Sequence, residues 1–151
     1  MSNIGGVSYL PHSSSRLPLN LAQVRERVDL ALTPGVKKWA AAEALKLART
    51  DLYWPWEEAR LAADIRDQFT PVARAFGFNI AVFERVLMFA IICRVMDALS
   101  GSLNSVGDDA QLANIDLQNV LQKQQQTLQT LSNISKEVYD TAMAVIRHIG
   151  S

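Results

Sequence analysis

From residue 110 to residue 149 the chain repeats a seven-residue pattern without a break. Ala110, Asn114, Leu117, Leu121, Gln124, Leu128, Leu131, Ser135, Val138, Ala142, Val145 and Ile149 follow one another four and three residues apart. A spacing that averages 3.5 residues holds one stripe of an α-helix against a neighbour along its length, so this stretch predicts a long helix packed side by side with at least one other. The polar faces of that helix are unusual. Between Ala110 and Ser135 the charged residues are Asp116 and Lys123, whereas Gln111, Gln118, Gln122, Gln125, Gln126, Gln129 and Asn133 supply amides. An amide donates and accepts hydrogen bonds and is covered at far lower desolvation cost than an ion, so the pattern suits a helix that other protein covers. Val120, Ile134 and Ile146 lie beside the stripe and widen it.

The second constraint is the segment "NIAVFERVLMFAIICRVMDALSG", residues 79–101, the most apolar in the chain. Its uncharged run, Val86 to Cys93, is much shorter than the roughly 20 residues needed to cross a bilayer, so no transmembrane span is expected. A helix apolar on nearly every side is one surrounded by other helices. Asn79 is a candidate N-cap and Gly101 a candidate stop, and residues 100–108 read as a linker.

Upstream, residues 1–17 read as a flexible tail. Leu21, Val24, Val28 and Leu32 share one face of a first helix that "TPG" at residues 33–35 ends. Trp39, Ala42 and Leu45 mark the expected inner face of a second. A third starts near Pro55, with Glu57 and Glu58 in its first turn, and is expected to stop near Phe69, where Thr70 and Pro71 open a separate short turn broken by Gly77. The fold class is therefore all-α. Short N-terminal helices in residues 18–77 precede a long apolar helix and a long C-terminal heptad (coiled-coil) helix, packed together in residues 78–151.

The chemistry of catalysis is missing. His12 lies in the tail and His148 in the last turn, while Cys93 sits in an apolar run and reads as a small buried hydrophobe. Glu57, Glu58, Asp64 and Asp67 share their faces with Arg60 and Arg66 and read as a solvated, ion-paired surface. With no phosphate loop, HExxH or paired CxxC, the chain is read as not an enzyme, with no cofactor, metal or small-molecule substrate. Fifteen basic residues balance fifteen acidic ones. No half has the basic excess that phosphate binding needs, which argues against nucleic acid and for association. The three tryptophans read as closing a helical core, with an aromatic docking patch as the alternative.

The order of these features, an apolar helix carrying "AVFERVLMFA", a linker and a glutamine-rich C-terminal helix, resembles the filament-forming subunits of bacterial type III secretion systems, the EspA-like group, over residues 78–151. The resemblance implies secretion without a cleaved signal peptide, a cytoplasmic stage with a dedicated chaperone, and polymerisation of the chain with itself. It also implies subunit contacts from Val82, Phe83, Val86, Leu87, Phe89 and Ala90 on the apolar helix, and from the heptad stripe. Unlike that group, which has a long segment between the two helices, this chain has the short "SGSLNSVGDD". The expected function is thus a self-assembling helical structural subunit. The alternatives are a helical binding module that lends its stripe to a partner protein, and a coat or sheath subunit of another helical assembly.

Overall fold

A computed structural model describes residues 19–75, 77, 79–105 and 110–150, with side-chain surroundings for 21–75, 77, 79–101, 117–135, 137 and 138. The expected tail with His12 and the end of the linker lie outside these, and His148 is among the residues whose side-chain surroundings are not described. The described chain is all-α, with five helices: α1 Leu19–Ala31, α2 Pro34–Ala48, α3 Trp54–Ala75, α4 Ile80–Ser105 and α5 Ala110–Gly150.

The first helix buries the face its spacing predicts, Leu21, Val24 and Val28, and Leu32 is buried just past its end. The "TPG" that ends it also starts the next. Thr33 is the N-cap of α2, its hydroxyl accepting from the Val36 N–H at 3.3 Å, and Pro34 occupies the first turn, where its missing N–H costs nothing. The inner face of α2 differs from expectation. Val36, Ala40, Glu43, Ala44 and Leu47 are buried, whereas Ala42 and Leu45 are exposed and Trp39 packs edge-on against Phe69 of α3.

Two expected breaks are absent. α3 runs straight through Pro71, because Phe69 and Ala73 are both buried on the same face and packing outweighs the lost backbone bond. The separate turn at Thr70 does not exist, and the Thr70 hydroxyl instead donates to the Arg66 carbonyl one turn back. α4 likewise continues past Gly101 to Ser105, so the first part of the expected linker is helical. The break that does form is at Gly77, with φ of 73°, and between α3 and α4 the chain bends by 119°. Asn79 caps α4 as expected, its side chain accepting from the Ala81 N–H at 2.8 Å.

The fourth helix is the centre of the molecule and packs against all four others. Arg25 pairs with Asp97 and Asp29 with Arg94, so α1 and α4 run in opposite directions. Ser100 meets Gln124 and Arg85 meets Glu137, so α4 and α5 do too. Leu87, Phe89, Ala90, Ile91, Ile92, Cys93 and Val95 are all fully buried, as befits a helix enclosed by neighbours. One hydrophobic cluster includes residues from every helix, joining residues 18–77 to the α4–α5 hairpin. Among the described residues no single helix is long and apolar enough to cross a membrane.

Candidate interaction surface

The stripe by which α5 meets the core runs through Val120, Gln124, Thr127, Leu131, Ile134 and Val138. It shares Gln124, Leu131 and Val138 with the heptad read from the sequence, but on its other edge it is turned by one residue. Leu128 of the heptad is half-buried and packed against the core as Val120 is, whereas Leu117 and Leu121 are 36% and 44% exposed. Two threonines explain the turn. Thr127 and Thr130 are buried because their hydroxyls donate to the Lys123 and Gln126 carbonyls, at 2.6 and 3.0 Å, which removes the usual cost of burying a hydroxyl. Ala142, Val145 and Ile149 lie on the helix beyond the side chains described.

Within the bundle, α5 is anchored at a polar corner. The indole Nε1 of buried Trp54 donates to Thr127 Oγ1 at 3.1 Å, and the Lys123 ammonium donates to the Ala48 carbonyl at 3.4 Å. Lys123 therefore turns inward and leaves the outer face. Gln118, Asn119, Gln122, Gln125, Gln126, Gln129, Ser132 and Asn133 are all exposed, so across residues 117–133 the outward surface of α5 carries no charge. Tyr53 and Trp56, each 67% exposed, flank Trp54. The tryptophans thus divide: Trp54 and Trp39 serve the core, and Trp56 is free at the surface.

The residues expected to make subunit contacts on α4 are spent inside the chain. Val82 is half-buried, and Phe83, Val86, Leu87, Phe89 and Ala90 are buried against the chain's own helices. Phe83 also stacks at a tilt on Phe69, with ring centres 5.8 Å apart.

Titratable groups form ion pairs between helices. Glu57 is buried rather than solvated, correcting the sequence reading, and shares Arg60 with Glu43 and Asp64 at 3.1, 3.5 and 2.8 Å. Glu84, also buried, accepts from Arg66 at 2.6 Å. Burial raises the Glu58 carboxyl, with Arg85 opposing and Glu137 adding to the shift. Cys93 lies beneath the Arg25, Asp29, Arg94 and Asp97 group, and its burial pushes the thiol up to about 12. Such a thiol is neither a nucleophile nor a metal ligand at neutral pH.

Among the described residues no group of three or more His, Cys, Asp or Glu is placed to hold a metal. An open pocket of about 200 Å³ at the α3–α4 corner, lined by Thr70, Ala73, Arg74, Asn79 and Ile80, is smaller than sites that enclose small molecules. Compared with family models, curated proteins and solved structures, the chain finds no match.

Proposed function

We propose that the protein is a self-assembling helical structural subunit whose copies associate through the outer face of α5, and that it serves as a secreted filament component of a type III secretion system. The observation that carries this reading is the charge-free amide surface over residues 117–133. Glutamine and asparagine each donate and accept, so such a face complements a copy of itself, and no ion has to be desolvated when it is covered. Exposed Leu117 and Leu121 add apolar contact at one end of the face. Zero net charge removes long-range repulsion between copies. The secretion setting rests on the resemblance of residues 78–151, which also implies a dedicated chaperone that masks the heptad stripe before export.

The test is to charge the face while leaving the core alone. Gln122→Glu, Gln125→Glu and Gln129→Glu together place three carboxylates along one exposed side. Negative-stain microscopy and sedimentation across a concentration series should show filaments for the wild type and none for the triple variant. Helix content and thermal midpoint should hardly change, because exposed substitutions cost within about 0.5 kcal/mol each. Filaments unaffected by the three charges would remove the amide face from the assembly. A wild type that stays one small species at every concentration would overturn self-assembly itself.

The closure of the inner stripe of α5 by α4 within one chain favours a second reading, a helical binding module that docks a different protein on the same outer face. That module would stay discrete at all concentrations and gain thermal stability with its partner.

A further inference from the structure

With Val36, Ala40, Ala44 and Leu47 turned into the core, the opposite side of α2 presents Lys38, Ala42, Leu45 and Arg49. All four are exposed, and their spacing of four, three and four residues puts them in one row along the helix. Ala42 and Leu45, expected inside, thus form the middle of an outer strip with a cation at each end. By helical spacing, half-buried Lys37 and exposed Lys46 border the strip on its two flanks. The turn that follows Arg49 leads to Tyr53 and Trp56, each 67% exposed. The Trp56 N–H donates to the Tyr53 carbonyl at 3.1 Å, so the start of α3 holds these two aromatic residues one turn apart.

The charge here is one-sided. Arg25, Arg60, Arg66, Arg85 and Arg94 on the other helices all hold carboxylates. On α2, Lys46 pairs with buried Glu43 at 3.2 Å, but among the described residues Lys37, Lys38 and Arg49 have no acidic partner, and the exposed carboxylate nearby in the chain is Asp51 of the turn. Residues 34–56 therefore carry four cations to two carboxylates in a chain whose total is zero. Unpaired cations call for an anionic partner. A nucleic acid would leave the apolar middle of the strip facing phosphate and water, and the outside of a single helix gives a peptide neither a groove nor a strand edge. An acidic bilayer surface suits every part. Lysine and arginine reach headgroup phosphates while their stems lie on apolar surface, and tryptophan and tyrosine settle at headgroup depth. We propose that the outer strip of α2 and the Tyr53–Trp56 corner dock the protein on an anionic phospholipid membrane. The contact is peripheral, since among the described residues no single helix is long and apolar enough to cross a bilayer. It uses no residue of the amide face on α5 and so does not depend on the self-assembly reading.

Flotation with vesicles tests it, because polymer by itself does not float. The full chain should rise with vesicles of phosphatidylcholine containing phosphatidylserine at low salt, stay behind with phosphatidylcholine alone, and be released as salt is raised. Lys38→Gln together with Arg49→Gln, both at exposed positions, should weaken binding about 30-fold, at roughly fivefold per cation. Phosphatidylcholine with brominated acyl chains, mixed with phosphatidylserine, should quench part of the tryptophan emission. Trp56→Ala should abolish that quenching, because Trp54 is buried and Trp39 is packed against Phe69.

No flotation with the acidic vesicles at low salt overturns the proposal. Equal flotation with phosphatidylcholine alone does so too, as does binding that the three substitutions leave unchanged. Poly-glutamate or a single-stranded oligonucleotide that binds as tightly as the acidic vesicles, with no need of Trp56, marks a plain anion surface and overturns the lipid assignment.

Discussion

A thiol sealed beneath two ion pairs makes the stability of this bundle depend on alkaline pH. The unfolded Cys93 thiol titrates near its ordinary value of 9.0, while the folded one holds its proton to about 12. Stability from this group is complete below pH 9 and falls as pH rises through that window, by on the order of 4 kcal/mol at its end. Denaturant midpoints at pH 8 and pH 10.5 should therefore converge between wild type and Cys93→Ala as pH rises, and parallel curves would show that the thiol is not sealed. Trp54 gives a second residue-scale expectation. Trp54→Phe removes the bond to Thr127 and costs about 1 kcal/mol, whereas Trp54→Ala opens the corner against α5 and costs about 3–5 kcal/mol, both readable in urea melts. Single residues were legible in the sequence where one force dominates, as for apolar Cys93, Val24 and Val28 or the Asn79 cap. Glu57 was not, because its burial depends on Arg60 and Glu43, and Glu43 comes from another helix.

Among whole elements, the glycines at 77 and 101 make opposite predictions from the same residue type. Gly101 sits inside α4 with helical dihedrals and open space where a Cβ would go. Gly101→Ala should raise stability by about 0.5–1 kcal/mol, through the lost freedom of the unfolded chain. Gly77 has φ of 73°, and Gly77→Ala should lower stability by about 1 kcal/mol although its surroundings are equally open. Thermal melts of the two variants should shift in opposite directions. The helices themselves were readable from periodicity, since 3–4 spacing and the "TPG" and Gly77 breaks are local signals. Their ends and rotations were less so. Pro71 and Gly101 are weak helix residues that tertiary packing overrode, and α5 carries two overlapping apolar stripes, one through Leu117, Leu121 and Leu128 and one through Val120, Thr127 and Ile134. Threonine in the second is polar by composition and buried by geometry, so the pattern alone favoured the first.

For the molecule as a whole, the proposed association through a charge-free face predicts assembly that salt hardly touches. Screening acts on ions, and the outward surface of α5 over residues 117–133 carries none. The concentration at which filaments appear should change by no more than about twofold between low and high salt, followed by light scattering. A steep dependence would locate the contact on a charged surface instead. The amide face could be read directly from the sequence. That Lys123 turns away from it could not, because the Ala48 carbonyl that takes its ammonium comes from a helix 75 residues earlier. The central position of α4 also sets an order of events during synthesis. The first three helices leave the ribosome before the helix that covers their apolar sides exists. The 30 residues from the end of α3 to the end of α4 take roughly 2 to 6 seconds to translate at typical rates. For that interval half the protein is a set of sticky, partnerless helices, and its yield in a cell depends on what keeps them apart until the fourth arrives.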